Sequence, residues 1–390
     1  MKGFVNYIPT KFIFGSGSVN KLADEKLPGK KALLVISNGK STRANGYLDK
    51  VESQLKKSGV EYKIFDEVEA NPLKSTVMRG AKSAREGGCD FVLALGGGSV
   101  MDASKAIAAM ATNDGDLWDY IFFGTGKRLP FKNRPLPLVA ISTTAGTGSE
   151  LDAGGVITNA DTNEKTAVFD EALFPVLSIV DPELTLSVPP KFTAFQGFDA
   201  LFHSLEGYTS NDPNPICDMY AETAIKNVGR YLARAVKDGR DLEAREHVSL
   251  GNSLSGMVMS TGHCTSEHSL EHAMSAFHQD LPHGAGLIMI SLAYFSHMIE
   301  KGACPERFVE MAKFMGHENA SKPDDFIAAL KKLQADCGVD NLKMSDYGIN
   351  PSEFRKFAEN AKDAMSFLFE FDRVKLSIED CVAIYEKSYK

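Results

Sequence analysis

Five of the chain's nine histidines (His263, His268, His272, His278 and His283) fall in the stretch HCTSEHSLEHAMSAFHQDLPH. An even spread would put about half of one there. His268 and His272 stand four apart and share a face of any helix that carries them, while His283 follows Pro282, which ends that helix and turns the chain back. Upstream, Asp199 and His203 repeat the four-residue offset in GFDALFHSLEGY. Asp199, His203, His268 and His283 together offer one carboxylate and three neutral imidazoles. That donor set suits iron(II), zinc, manganese or nickel. A divalent ion so held keeps net positive charge and, with coordination positions open, acts as a Lewis acid on a carbonyl or alkoxide. His272 is either a fifth ligand or a proton carrier. His278 faces solvent, and His247, His263, His297 and His317 belong to surface or packing. Cys264 sits inside the cluster, but four better ligands surround it.

These residues must be positioned by helices. From about Leu184 the β signals vanish and helix-period segments follow one another: Phe192–Thr209, Pro215–Val236, Leu242–Thr261, Ser266–Phe277, Gly286–Glu300, Pro305–Met315, Pro323–Cys337, Pro351–Met365 and Ile378–Ser388. The half before them alternates strands with helices. Apolar runs at Ala32–Ile36, Tyr62–Phe65, Phe91–Leu95 and Leu136–Ile141 are separated by helical patterns, with Val156–Thr158 and Val176–Val180 completing the strand set and residues 4–14 opening the domain as a strand or hairpin. The expected fold is a doubly wound, mainly parallel α/β domain over residues 1–182 and an all-helical, metal-binding domain over 183–390.

Two loops in the α/β half are suited to phosphate. Gly96-Gly97-Gly98-Ser99 lies between a buried strand and a helix, where backbone amides and the helix N-terminus favour an anion. Thr143-Thr144-Ala145-Gly146-Thr147-Gly148-Ser149 follows another parallel strand and opens at the same sheet edge, so a dinucleotide is expected there. Ser37 ends the first strand of the alternating units, where a binder of the ribose 2′-hydroxyl would place an acid. With Lys40, Ser41 and Arg43 behind it, Ser37 favours NADP over NAD.

Composition narrows the partners. Of 390 residues 43% are hydrophobic and 24% charged, and 43 basic against 51 acidic residues give a net charge of −8. No basic face exists for nucleic acid or anionic lipid, so the expected substrate is small. No signal-like or membrane-length apolar run occurs, and six cysteines far apart with no Cys-x-x-Cys pair suit reduced thiols. A cytoplasmic protein is expected.

Taken together, Pro9-Thr10-Lys11 leading to Phe14-Gly15, Asn71-Pro72, Gly96-Gly97-Gly98-Ser99 with Asp102, Thr143 to Thr147, Gly197-Phe198-Asp199-Ala200 with His203 and Glu206-Gly207-Tyr208, and the block His268–Gly284 resemble the iron-containing (group III) alcohol dehydrogenases over nearly the full length. The one-residue-longer spacing from His272 to His283 is similar to the butanol dehydrogenase branch. The resemblance implies a dehydroquinate synthase-like fold with a cofactor in the cleft between two domains, Asp199, His203, His268 and His283 as ligands of Fe2+, and His272 as a non-ligand histidine beside the nicotinamide. It further implies Gly97, Gly98 and Ser99 at the pyrophosphate, Thr143, Thr144 and Thr147 as cofactor contacts, Lys165 at a ribose, Asn71 near the adenosine, Asp102 among the cofactor-binding positions, and a homodimer paired through N-terminal strands. Several members carry Asp where this chain has Ser37.

The expected reaction is reversible hydride transfer between NAD(P)(H) and a short primary alcohol or aldehyde, with His272, the ribose or water carrying the proton. Two rivals stand beside it. A metal-dependent cyclising lyase of the dehydroquinate synthase type would surround its metal with Lys and Arg, yet residues 260–290 contain neither. A non-catalytic metal-binding protein would have no use for two glycine loops.

Overall fold

A computed structural model of the chain describes residues 3–390. They form two compact units: Ile8–Ser187, and Val188–Lys390, with which the N-terminal residues before Ile8 are grouped.

The first unit is built on β1 (Lys11–Phe14), β2 (Lys31–Ser37), α1 (Ser41–Ala44), α2 (Tyr47–Lys57), β3 (Glu61–Val68), α3 (Lys74–Gly87), β4 (Phe91–Gly96), α4 (Gly98–Met110), β5 (Leu138–Ser142), β6 (Gly154–Asn159), β7 (Glu164–Phe169) and β8 (Leu177–Val180). Six strands form one sheet in the order β1-β8-β5-β4-β2-β3, every pair parallel. Strand side chains alternate between faces, and both faces here are covered, which is why the strands read as continuous apolar runs. Leu33, Val35, Val92, Ala94 and Ala140 pack with Ala103, Ile107 and Val77 of α4 and α3. Ala32, Leu34, Ile36, Leu93, Leu95 and Ile141 pack with Leu48, Val51 and Leu55 of α2.

Two details differ from the sequence-based expectation. Only Lys11–Phe14 of residues 4–14 forms a strand, because Pro9 cannot donate to a ladder. Val156–Thr158 lies in β6, which leaves the main sheet and pairs antiparallel with β7 instead. Two buried charged residues, Glu164 and Lys165, open β7 and mask its strand character.

The second unit comprises α5 (Pro190–Thr209), α6 (Pro215–Lys237), α7 (Leu242–Thr261), α8 (Ser266–Phe277), α9 (His283–Glu300), α10 (Pro305–Phe314), α11 (Asp324–Asp336), α12 (Phe354–Ala364), α13 (Ser366–Glu370) and α14 (Ile378–Ser388). A helix apolar all round belongs in the interior, and α5 is buried on nearly every position from Thr193 to Tyr208. Phe198 and Phe202 pack with tilted rings within α5, and Phe202 meets Phe295 of α9. Pro282 caps α9, so His283 is that helix's first residue rather than part of the preceding turn.

Candidate metal and nucleotide sites

In the helical unit, Asp199 and His203 stand one turn apart on α5, His268 and His272 one turn apart on α8, and His283 opens α9. Close packing draws these three helices together. A Cβ on Gly284 would lie 2.1 Å from the Phe195 carbonyl oxygen, and one on Gly286 would lie 2.7 Å from Glu271 Cγ. Only glycine permits α9 to start this close to α5 and α8, which delivers His283 to Asp199.

His268 Nε2 and His283 Nε2 each lie 3.4 Å from the same oxygen, Asp199 Oδ1, and His203 Nδ1 lies 3.6 Å from it. Direct hydrogen bonds would be shorter, about 2.7–3.2 Å. Ligand atoms on a tetrahedral ion with bonds of about 2.1 Å stand about 3.4 Å apart, so the spacing fits a shared cation. Asp199, His203 and His268 are buried, and His283 is partly exposed.

Two acids orient the rings. His268 Nδ1 is hydrogen-bonded to Glu206 and His283 Nδ1 to Glu271, both fully buried, which leaves each Nε2 pointing at Asp199. This is the carboxylate–histidine arrangement that fixes tautomer and raises ligand basicity at metal sites. The electrostatics agree. Burial works to raise the Asp199 carboxyl, but His203 and His283 overcome it and hold it well below the usual carboxylate range. Burial disfavours a charged His268, yet Glu206 and Asp199 outweigh it and lift its pKa to about 10. The cluster is built to hold positive charge.

His272 is buried beside this set, its ring 5.0 Å from that of His283 and 6.2 Å from that of His268, with Nδ1 2.6 Å from Met365 Sδ. It is not among the groups that share Asp199 Oδ1, although Glu271, His272 and His283 form a second close trio. His278 pairs with Glu353 at 3.1 Å rather than simply facing solvent. His263 stacks on Phe371 and His247 on Tyr231.

In the α/β unit the two polar loops adjoin at the carboxyl ends of neighbouring strands β4 and β5. Gly97 caps α4, no side chain occupies the cap, and the opening amides of the helix remain available to an anion. A Cβ on Gly97 would meet Thr144 Oγ1 at 2.7 Å, and one on Gly98 would meet Thr147 Cγ2 at 2.2 Å. Glycines let the loops touch, so Ser99, Thr143, Thr144 and Thr147 gather at one edge. Asp102 faces inward, accepting from Ser149 Oγ at 2.8 Å and Val156 N at 3.1 Å, and burial pushes its carboxyl up to about 6. Fully buried Lys105 reaches Ser149 Oγ, Asp152 Oδ1 and Gly154 O and pins the end of the threonine loop. Lys165 Nζ donates to Asn71 Oδ1 at 3.1 Å, which unites two positions 94 residues apart.

Ser37 borders a cavity of about 510 Å³ with Asn38, Gly39, Lys40, Arg43, Ala44 and Asp66. Within it Arg43 Nη2 is held by Asp66 Oδ2 at 2.7 Å.

Sequence reasoning passed over Glu206 and Glu271 as orienting acids, and Lys105 and Asp66 altogether. The acids had a signal: Glu206 follows His203 by three residues and Glu271 follows His268 by three, each within reach on one helix face.

Comparison with known proteins follows the same division. Residues 9–182 match the family described as iron-containing alcohol dehydrogenase, and residues 193–389 match the C-terminal region of the Fe-containing alcohol dehydrogenase family. The chain is 34% identical over 369 residues to a 1,3-propanediol dehydrogenase of Klebsiella pneumoniae, covering 92% of this chain and 93% of that one. It is 36% identical over 371 residues to a probable NADH-dependent butanol dehydrogenase of Bacillus subtilis (strain 168), covering 93% and 94%. A crystal structure of an archaeal halo-thermophilic alcohol dehydrogenase from a Red Sea brine pool, bound to NZQ, superposes with a TM-score of 0.94 at 32% identity, covering both chains in full.

Proposed function

This chain belongs to the iron-containing alcohol dehydrogenase family, and from that premise we propose that it exchanges hydride between NAD(P)(H) and short primary alcohols or their aldehydes, with Asp199, His203, His268 and His283 holding the metal. It is an oxidoreductase that interconverts alcohols and aldehydes with a nicotinamide cofactor, and iron is the family's metal. The observation that carries the ligand assignment is the convergence of two imidazole nitrogens at 3.4 Å on one Asp199 oxygen.

When bound, the divalent ion supplies Lewis-acid polarisation of the alcohol or carbonyl oxygen, and the nicotinamide accepts or donates the hydride. Asp199 contributes the negative charge and stays ionised throughout. Glu206 and Glu271 hold His268 and His283 with Nε2 presented. His272 keeps Nδ1 against Met365, so Nε2 is the nitrogen that holds or passes the alcohol's proton. Gly97, Gly98 and Ser99 offer amides to the pyrophosphate, Thr143, Thr144 and Thr147 add hydroxyls and amides, Lys165 takes a ribose, and Asn71, hydrogen-bonded to it, lies toward the adenosine.

The cavity beside Ser37 supports NADP(H) alongside NAD(H), with NADP(H) preferred. Ser37 removes the acid that would repel a 2′-phosphate, and Lys40 and Arg43 supply cations once Arg43 releases Asp66. The reading extends to a cytoplasmic homodimer. Six cysteines form no disulfide, as a reducing compartment requires. Among the described residues no helix is long and apolar enough to cross a membrane. Exposed Phe4, Val5 and Tyr7, just before the edge strand β1, offer apolar surface to a second copy.

The test is the anaerobic rate of NADPH and NADH oxidation with butanal, on metal-stripped protein with and without iron(II). Iron-dependent turnover with both cofactors, faster with NADPH, is expected. No oxidation of either cofactor with butanal or a panel of other aldehydes and ketones overturns the reading.

A further inference from the structure

Cys264 lies in the four-residue connection (Gly262–Thr265) between α7 and α8, beside two of the histidines already described. Its ligand atom and those of His203 and His268 all fall within 4.8 Å of one another, a trio that shares His268 with the Asp199–His268–His283 group. The rings of His203 and His268 are stacked, their centroids 4.2 Å apart.

Both neighbours of the thiol are fastened. His263 stacks on Phe371 with centroids 3.6 Å apart. Thr265 donates its backbone N–H and hydroxyl to Glu206 at 2.7 and 3.0 Å, and Tyr294 donates to the Thr265 hydroxyl at 2.9 Å. Glu206 is itself the acid that holds His268. The bend is therefore locked to the ring it faces, and the sulfur is held in place before any ion arrives. Cys264 forms no disulfide and is partly accessible.

We propose that Cys264, His203 and His268 form a second, thiolate-containing cation site that takes thiophilic ions such as zinc or cadmium in competition with iron. Thiolate and imidazole together select zinc-like ions, whereas the carboxylate–imidazole set of Asp199, His268 and His283 accepts harder ones. On binding, the thiol gives its proton to solvent and its sulfur lone pair forms the bond to the ion. Because His268 belongs to both trios and His203 also stands among the proposed iron ligands, the two sites cannot be filled together, and a soft ion draws both imidazoles away from Asp199. The inference rests on the placement of the thiol; it does not require that iron use all four proposed ligands.

The experiment is cadmium and cobalt(II) titration of the metal-stripped full-length protein, followed by near-ultraviolet absorption, with Fe2+ titrated in parallel as an independent report on the iron site. Wild type is expected to develop a sulfur-to-metal charge-transfer band at one equivalent, and Cys264→Ser to lose it. The cadmium-to-iron affinity ratio should fall about tenfold or more in Cys264→Ser, since even orienting partners outside the ligand set are worth about 10- to 100-fold in metal affinity. A wild-type protein without the band, a variant that retains it, or equal loss of both metals overturns the proposal. Failure of the iron titration alone would count against the iron ligands and leave the thiolate site standing.

Discussion

Glu271 makes the most searching test of how the metal site is organised. It is fully buried on α8, accepts from His283 Nδ1, and packs against Gly286 in the first turn of α9. Glu271→Gln keeps the shape and an acceptor but removes the charge that fixes the His283 tautomer and sharpens the basicity of Nε2. Losing such a partner costs about 10- to 100-fold in metal affinity, or about 1.4–2.7 kcal/mol. The assay is anaerobic Fe2+ competition against a chelator of known affinity, with circular dichroism to confirm the fold. Unchanged affinity would refute the claim that Glu271 orients His283. A loss as large as that of His283→Ala would refute it differently, by making Glu271 a ligand, since Glu271, His272 and His283 also lie close enough to share an ion.

Other expectations follow from the same geometry. His272→Ala should retain iron while kcat falls by about 10²–10⁴, the usual worth of a positioned proton carrier; loss of the metal would make His272 a ligand instead. Arg43→Ala should weaken binding of 2′,5′-ADP relative to 5′-AMP by about tenfold, and Asp66→Ala should strengthen it by freeing the guanidinium; calorimetry showing an unmoved ratio in both would remove the cavity from cofactor selection. Glu164 gathers Trp118 Nε1, Thr125 N and Oγ1, and Thr162 Oγ1 at 2.9, 2.6, 2.5 and 2.6 Å. Burial pushes its carboxyl up, but the Thr125 and Thr162 bonds prevail and hold it below its ordinary value. A depressed pKa adds stability above the unfolded value of about 4.3 and loses it as pH falls through the folded one. Glu164→Gln should therefore cost about 1–3 kcal/mol at pH 7, with the difference in urea midpoints closing below about pH 4; a pH-independent gap would contradict this.

Legibility in the sequence followed local periodicity. The proposed ligands were visible because pairs four apart on helices announce a shared face, and nine helical segments were marked by their own Pro, Gly and Asn boundaries. Pro282 is expected to end the preceding helix and the next to start at Gly286; instead α8 ends at Phe277 and α9 starts three residues earlier, at His283, with Pro282 as its N-cap. What stayed hidden depends on burial that no local pattern encodes. Glu206 and Glu271 look like routine solvent-facing helix residues until α5, α8 and α9 close over them. β7 opens on a glutamate and a lysine whose partners, Trp118 and Asn71, come from distant loops. Arg43 and Asp66 meet only because β2 and β3 are neighbours in the sheet.

The pairing of β1 with β8 has a consequence for biosynthesis. Lys11 stands opposite Leu177, 166 residues later, so β1 is made well before the strand it pairs with. At about 5–20 residues per second, Lys11–Phe14 waits roughly 10–30 s on the ribosome for its partner. The four strands β2 to β5 need nothing beyond residue 142 and can assemble meanwhile, leaving an exposed edge at β5 until β8 arrives. Such long-range parallel closure is slow by topology. In the cell, then, the nascent chain carries both an unpaired strand and an open sheet edge for many seconds, and this is the interval in which chaperone binding or misassembly is decided.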